Sequence, residues 1–174
     1  MLDLFSGTGS MARAFEARGW LAVTVDCNAK AGNHTVLADI MTWDYQAAYA
    51  PGYFDHVHAS PPCIQYSLAR TTAKTPRDFE GADALVAKAL EIIDYFRPHS
   101  YTIENPQTGY LKTRPVIQGY PYTDICYCKY EPDPTRGYRK PPDSGITCRD
   151  PGSPNPCAAR QPRASFARPV GAGI

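Results

Sequence analysis

The stretch Leu2-Asp3-Leu4-Phe5-Ser6-Gly7-Thr8-Gly9-Ser10 decides the fold class. Residues 2–5 are mostly apolar and predict a short buried strand, and residues 6–10 predict a tight turn. Gly7 and Gly9 let the backbone of that turn approach a ligand closely. The backbone N–H groups of the turn, with the start of a following helix, offer a site for a carboxylate or a phosphate.

The segment after the turn continues the pattern. Residues 11–18 predict a helix that Gly19 closes, and residues 20–25 predict a second strand that ends at Asp26. This order of strand, glycine turn, helix, strand and acid is typical of the start of a doubly wound α/β domain with a Rossmann-like sheet.

Further elements follow along the chain. The apolar positions of residues 78–97 recur at three- and four-residue spacing, which predicts a long helix that Pro98 ends. Residues 131–174 are rich in Pro, Gly and Arg and predict no regular element. The other predicted strands cover residues 36–39, 54–60, 101–103 and 122–130.

The charge of the chain is distributed unevenly. The 174 residues are enough for one domain, and their net charge is +1. Residues 1–110 carry 8 Lys and Arg against 12 Asp and Glu, whereas residues 111–174 carry 10 against 5 and hold 11 of the 17 prolines. This asymmetry favours a polyanionic partner for the second part, and a solvated basic tail is the alternative. The apolar runs are too short for a membrane span, and the N-terminus has no secretory pattern.

Four side chains with chemical potential stand at or just after predicted strand ends: Asp26, Asp39, Cys63 and Glu104. Ligands of open α/β sheets bind outside the carboxyl ends of the strands. We therefore expect these four residues to converge on one site, although Asp26 or Asp39 taken singly is more simply a helix cap or a loop carboxylate.

The glycine turn and the two aspartates together suggest a ligand. Asp26 can accept hydrogen bonds from ribose hydroxyls, and Asp39 can accept one from an adenine amino group. With the anion site of the turn, they fit a ligand with an adenosine end and a carboxylate end, and S-adenosylmethionine has both. The turn lacks the third glycine of the dinucleotide fingerprint, so it favours NAD only weakly, and a plain strand-to-helix turn is the alternative.

Cys63 and Glu104 suggest a reaction. The prolines of Ser60-Pro61-Pro62-Cys63 fix the backbone and hold the thiol in place, although a buried inert thiol is the alternative. A partly closed cleft would raise the pKa of Glu104, which lets it donate a proton. A thiolate and an acid suit attack on carbon 6 of cytosine, with the acid at N3. Carbon 5 then becomes nucleophilic enough to take a methyl group, and a base must remove its proton before the thiolate leaves.

Three motifs in this order resemble those of the DNA (cytosine-5) methyltransferase family: Asp3 to Gly9, Pro61-Pro62-Cys63 and Glu104-Asn105-Pro106. The resemblance covers residues 1–140. It implies an S-adenosylmethionine-dependent enzyme that methylates cytosine in double-stranded DNA after extruding the base from the helix. Residues 1–125 would form the catalytic and cofactor-binding α/β domain, and residues 126–174 a short basic, Cys-containing lobe with a reduced target-recognition role.

The resemblance also implies roles for single residues. Cys63 matches the nucleophile, Glu104 matches the acid on the target base, and Arg139 matches, weakly, a later basic motif that holds the flipped cytosine and its phosphate. The implied cofactor-binding residues are Phe5, Ser6, Gly7, Thr8, Gly9, Ser10, Asp26, Asp39, Ile40 and Pro61.

The sequence departs from the family pattern at identifiable places. Ile64 stands where the family has Gln, and Pro106 stands where it has Val. Only residues 141–174 follow the basic motif, in place of a long recognition region and a returning Gly-Asn helix. This favours, as an alternative, a non-catalytic methyltransferase-like subunit that binds DNA or cofactor and needs a protein partner. A third hypothesis keeps the chemistry and makes RNA the substrate.

The remaining residues leave further alternatives. Cys126, Cys128, Cys148 and Cys157 could supply four thiolates to structural zinc, but their irregular spacing favours free thiols. The basic side chains of residues 111–174 interleave with tyrosines, which suits a nucleic-acid channel.

His56 and His58 alternate on one strand face and are predicted to be satisfied polar residues. Cysteines without a secretory signal indicate a reducing compartment, so the predicted location is the cytoplasm or nucleus, and the compact length suits a virus or a microbe.

Overall fold

A computed structural model describes residues 1–71 and 73–125 and the backbone of residues 144–149. The described strands are β1 (Leu2–Leu4), β2 (Val23–Asp26), β3 (Val36–Leu37), β4 (His56–Ala59), β5 (Ser100–Asn105), β6 (Thr123–Ile125) and β7 (Ser144–Arg149). The described α-helices are α1 (Ser10–Glu16), α2 (Tyr45–Ala48) and α3 (Phe79–Phe96). Two short 3₁₀ helices cover Leu111–Thr113 and Pro115–Ile117.

The strands form one seven-stranded sheet in the order β3-β2-β1-β4-β5-β7-β6. Strands β1 to β5 run parallel to one another, and β7 runs antiparallel to both β5 and β6. The predicted α/β fold with a parallel, doubly wound sheet is therefore confirmed. Because the parallel strands point the same way, the loops after β1, β2, β4 and β5 emerge at one edge of the sheet.

The two faces of the sheet differ in chemistry. Strand side chains alternate between faces, and the alternating apolar residues Leu2, Leu4 and Val57 join the buried face of α3 in one hydrophobic core. The opposite face carries buried polar residues, namely Asp3, Thr24, His56 and His58. Helix α1 covers part of this polar face, since the ring of Phe15 stacks on His56 with 5.0 Å between centroids.

Helix α3 agrees closely with its predicted span of 78–97. The carboxylate of Asp78 accepts the N–H of Gly81 at 2.8 Å and caps the first turn. Arg97 ends the helix in the left-handed conformation, with φ of 48°, and Pro98 follows, as its effect on helix continuation predicts.

Several boundaries differ from the sequence prediction. Helix α1 ends at Glu16 rather than at residue 18. Strand β2 begins at Val23 rather than at residue 20, because the ring of Trp20 packs edge-on against Phe15 with 5.2 Å between centroids. Helix α2 has a single turn, which is too short to show a period in the sequence; Asp44 caps it by accepting the N–H of Ala47 at 3.0 Å.

Strand β7 lies in the segment for which no regular element was predicted. Its backbone pairs with β5 and β6, so part of residues 126–174 joins the same sheet as residues 1–125. Arg139, Cys126, Cys128 and Cys157 lie outside the described residues, and Cys148 lies in β7, of which the backbone alone is described. Among the helices of the described residues, none has the length and apolar character to cross a membrane.

Candidate functional site

A cavity of about 390 Å³ lies at the carboxyl ends of β1, β2 and β4. This volume falls in the range of about 300–1,000 Å³ that is usual for small-molecule sites. Four predicted cofactor residues line the cavity, namely Phe5, Asp26, Asp39 and Ile40. Pro61 is not among the lining residues, whereas its neighbour Pro62 is, and Ser60 and Leu85 contribute without having been predicted.

The glycine turn holds an unusual backbone beside this cavity. Gly7 and Gly9 have φ values of 51° and 73°, which glycine adopts readily. Phe5 also has a positive φ, 58°, although it is not glycine. Such a conformation costs on the order of 1–3 kcal/mol and concentrates at ligand sites. The strain therefore supports a binding role for this turn.

Asp26 is held in place by the turn and by the segment after β2. Its Oδ2 accepts the N–H of Gly7 at 2.8 Å, and its Oδ1 accepts the N–H of Asn28 at 2.8 Å. Each carboxylate oxygen has a further lone pair that can accept a ribose hydroxyl. Asp39 is exposed, and its Oδ1 accepts the N–H of Met41 at 2.9 Å.

The other predicted turn residues take different positions. Ser6 is buried, and its hydroxyl lies 3.0 Å from Nδ1 of His34. Thr8 and Ser10 are exposed, and their hydroxyl oxygens lie 2.9 Å apart. Thr8 and Ser10 are therefore available to a ligand, whereas the Ser6 side chain is committed to the fold.

Hydrogen bonds within the loop and to helix α3 hold the loop that carries Cys63. The backbone oxygen of Cys63 accepts the N–H groups of Tyr66 at 2.9 Å and Ser67 at 2.8 Å. Tyr66 is fully buried, and its hydroxyl donates to Asp83 of α3 at 2.8 Å. Asp83 also pairs with Arg114, whose Nη2 lies 2.8 Å from Oδ2. Arg114, one of the basic residues predicted to face nucleic acid, is thus bound to the helix that supports the loop.

The Pro-Pro-Cys and Glu-Asn-Pro motifs are joined directly. The Nδ2 of buried Asn105 donates to the backbone oxygen of Pro61 at 3.0 Å. The Oδ1 of Asn105 has no hydrogen-bond partner within the described residues. Glu104 is half-buried, and burial raises its pKa. Neither Cys63 nor Glu104 lines the cavity itself, but Asn105 ties their motifs together beside it.

Asp3 is a buried titratable residue of β1, and the sequence assigned it no separate role. It is 1% exposed, accepts the N–H of Ala12 at 3.3 Å, and has its pKa raised to about 6, chiefly by burial. The folded protein favours the protonated form of Asp3. The contribution of Asp3 to the free energy of unfolding is therefore fully present below about pH 4 and is lost as pH rises through about 6.

We predict that Asp3→Asn raises the free energy of unfolding by about 3 kcal/mol near pH 7. The amide keeps an acceptor for Ala12 and carries no charge to bury. Urea denaturation of both proteins at several pH values measures the difference. It should be small near pH 4 and widen up to about pH 6; a difference that is constant with pH would contradict the assignment.

Comparison with known proteins adds independent findings. No family model matches the chain. A protein of Frog virus 3 (isolate Goorha) named "Probable DNA (cytosine-5)-methyltransferase" is 38% identical in an alignment of 151 residues, and the match covers 80% of this chain and 66% of the viral protein. The chain thus spans slightly less than two thirds of that relative's length.

A solved structure shows the same fold. It is described as a DNA modification methyltransferase encoded within a prophage of E. coli, and it superposes with a TM-score of 0.55 over 84% of this chain and 45% of its own. The sequence identity is 14%, so this likeness concerns the fold alone. It agrees with the parallel sheet described above.

Proposed function

We propose that the chain, which is 38% identical to a viral probable DNA (cytosine-5)-methyltransferase, is a member of that family and transfers a methyl group from S-adenosylmethionine to carbon 5 of cytosine in DNA. The observation that carries the proposal is the hydrogen bond from Asn105 to Pro61. It fixes the loop of Cys63 to the strand end of Glu104, beside a cavity of small-molecule size.

The cavity residues fit the cofactor. Phe5, Ile40 and Leu85 supply apolar walls for an adenine ring, and Asp26 presents a fixed carboxylate to the ribose hydroxyls. When bound, S-adenosylmethionine supplies an electrophilic methyl group. Carbon 5 of cytosine can reach that methyl group only when the cytosine leaves the DNA helix. We therefore propose that the target cytosine is extruded.

The catalytic roles follow from the chemistry of the two side chains. The Cys63 thiolate adds to carbon 6 of the ring, which makes carbon 5 nucleophilic. Glu104, whose acid form is favoured because burial raises its pKa, donates to N3 and offsets the charge that develops on the ring. After methyl transfer, loss of the carbon 5 proton re-forms the double bond between carbons 5 and 6 and releases Cys63.

Labelled cofactor tests the proposal with the purified chain. We expect labelled methyl groups to appear as 5-methylcytosine in unmethylated duplex DNA of mixed sequence. We also expect a denaturant-stable complex with DNA that contains 5-fluorocytosine, because fluorine cannot leave carbon 5 as a proton does.

Two results would redirect the proposal. Labelling of RNA of the same sequence, with none of DNA, would make RNA the substrate. Cofactor binding without labelling or trapping would contradict catalysis by this chain alone and would favour a subunit that needs a protein partner for target recognition.

A further inference from the structure

A continuous row of polar side chains crosses the buried polar face of the sheet. His58 Nε2 lies 2.8 Å from the hydroxyl of Ser60, and His58 Nδ1 lies 2.6 Å from the hydroxyl of Thr102. The Thr102 hydroxyl lies 3.5 Å from His56 Nε2, and His56 Nδ1 lies 2.9 Å from the hydroxyl of Ser100. The prediction that both histidines are satisfied polar residues is confirmed. The proposed roles of Cys63 and Glu104 do not involve this row.

Every group in this row can both donate and accept a proton. A neutral imidazole has one N–H donor and one bare nitrogen acceptor, and a hydroxyl has one donor and two lone pairs. If Ser60 donates to His58, then His58 donates to Thr102, Thr102 to His56, and His56 to Ser100. The reverse order is equally consistent, so the row can reset after a proton has passed.

Burial keeps both histidines in the neutral form that this transfer needs. His56 is 8% exposed and His58 is 3% exposed, and burial lowers the pKa of each to about 4. Near pH 7 both rings are therefore uncharged and retain one donor and one acceptor.

The two ends of the row lie in different surroundings. Ser60 lines the cavity that also contains Asp26 and Asp39, and it stands three residues before Cys63. Ser100 begins β5 at the opposite edge of the sheet and is half-buried. The row therefore connects the candidate site to the far end of the strands.

We propose that Ser60, His58, Thr102, His56 and Ser100 form a proton wire that carries the carbon 5 proton of cytosine away from the site. The proposal rests on the proposed function, in which a proton must leave carbon 5 after methyl transfer. It assigns a path for that proton, which neither Cys63 nor Glu104 provides.

The Ser60 oxygen accepts the carbon 5 proton while its own proton passes to His58 Nε2. The electron pair of the broken C–H bond forms the double bond between carbons 5 and 6, and the bond from carbon 6 to sulfur breaks to return the Cys63 thiolate. One proton then moves from His58 through Thr102 and His56, and Ser100 releases one proton to solvent.

Thr102→Val tests the wire because valine keeps the shape of threonine and removes the linking hydroxyl. The full chain is mixed with duplex DNA carrying tritium at carbon 5 of cytosine and with cofactor carrying a ¹⁴C methyl group. We expect one round of ¹⁴C transfer per protein at nearly the normal rate, and tritium release slowed on the order of 10²-fold. A denaturant-stable protein–DNA complex carrying ¹⁴C should accumulate on ordinary cytosine. Ser60→Ala should accumulate the same complex and release tritium slowly.

Two matched variants serve as controls. Thr102→Ser restores the hydroxyl and should release tritium at the normal rate. Thr24→Val removes a buried hydroxyl on the same face of β2, where Thr24 pairs with Thr35 at 3.3 Å and does not touch the wire; it should not accumulate the complex.

The outcomes separate the two proposals. Normal tritium release in both Thr102→Val and Ser60→Ala would overturn the wire, and so would equal slowing of ¹⁴C transfer and tritium release, which indicates a structural role. Absence of ¹⁴C transfer and of 5-fluorocytosine trapping by the unaltered chain would overturn the proposed function, and the wire with it.

Discussion

Cys63→Ala is expected to lower the rate of methyl transfer by a factor on the order of 10⁶, as removal of other enzymatic nucleophiles does. Without the thiolate, carbon 5 of cytosine stays a weak nucleophile, and the methyl group has no acceptor. Binding of S-adenosylmethionine should survive, because Asp26 is held by the N–H groups of Gly7 and Asn28 and not by Cys63. Calorimetric titration with cofactor and the labelled-methyl assay measure the two effects separately.

A second thiol provides the matched control. Cys27 is exposed and lines the candidate cofactor cavity, whereas Cys63 is half-buried and does not line it, and both are free. The comparison is therefore made at saturating cofactor. Cys27→Ala should still form the denaturant-stable complex with 5-fluorocytosine DNA, and Cys63→Ala should form none. Methyl transfer by Cys63→Ala at the rate of the unaltered chain would remove Cys63 from the mechanism.

The fold could be predicted because its signals are local. The apolar residues before Ser6, the positive φ values at Gly7 and Gly9, and the spacing of apolar residues in α3 each follow from a few neighbouring positions. Strand β7 could not be predicted in this way, because its partners in β5, Tyr101 to Asn105, lie 40 to 48 residues earlier in the chain. Backbone pairing of that kind leaves little trace in a Pro- and Gly-rich sequence.

Some features of the candidate site could likewise be predicted from the sequence, and others could not. That Asp26 and Asp39 lie at one edge of the sheet follows from parallel strands, and the cavity contains both. The contact of Asn105 with Pro61 and the row of His58 and Thr102 join residues 44 positions apart. Neither contact has a sequence signal; His56 and His58 show only an alternation, which reports a shared face and not the partners on it.

The same limit applies to Arg114. Its sequence context, between tyrosines and other basic residues, favours contact with phosphates. In the fold Arg114 makes a bidentate pair with Asp83, in which Nε donates to Oδ1 at 3.2 Å and Nη2 donates to Oδ2 at 2.8 Å. Its guanidinium lies 4.7 Å from the centre of the Phe79 ring. Charge alone therefore overestimates how much of the described basic surface is free for nucleic acid.

Glu104→Gln is expected to lower methyl transfer on the order of 10²- to 10⁴-fold, the usual contribution of a positioned acid. The amide fills the same space and can still donate a hydrogen bond to N3 of cytosine, but it cannot give up a proton as charge develops on the ring. The variant should therefore bind cofactor and DNA normally and form the complex with 5-fluorocytosine DNA slowly. Glu16→Gln, at the exposed end of α1, is the matched control and should transfer methyl groups at the normal rate.

The pH dependence gives Glu104 a second, independent test. Burial raises the pKa of Glu104, so the acid form persists to higher pH than an exposed glutamate allows, and activity that needs this form falls as pH rises through the raised pKa. Glu104→Gln has no proton to lose at this position, so its profile should lack that fall while the control keeps it. Single-turnover methyl transfer at saturating cofactor, measured across pH, compares the two. A profile of Glu104→Gln parallel to that of the unaltered chain at every pH would show that protonation of Glu104 does not control the reaction.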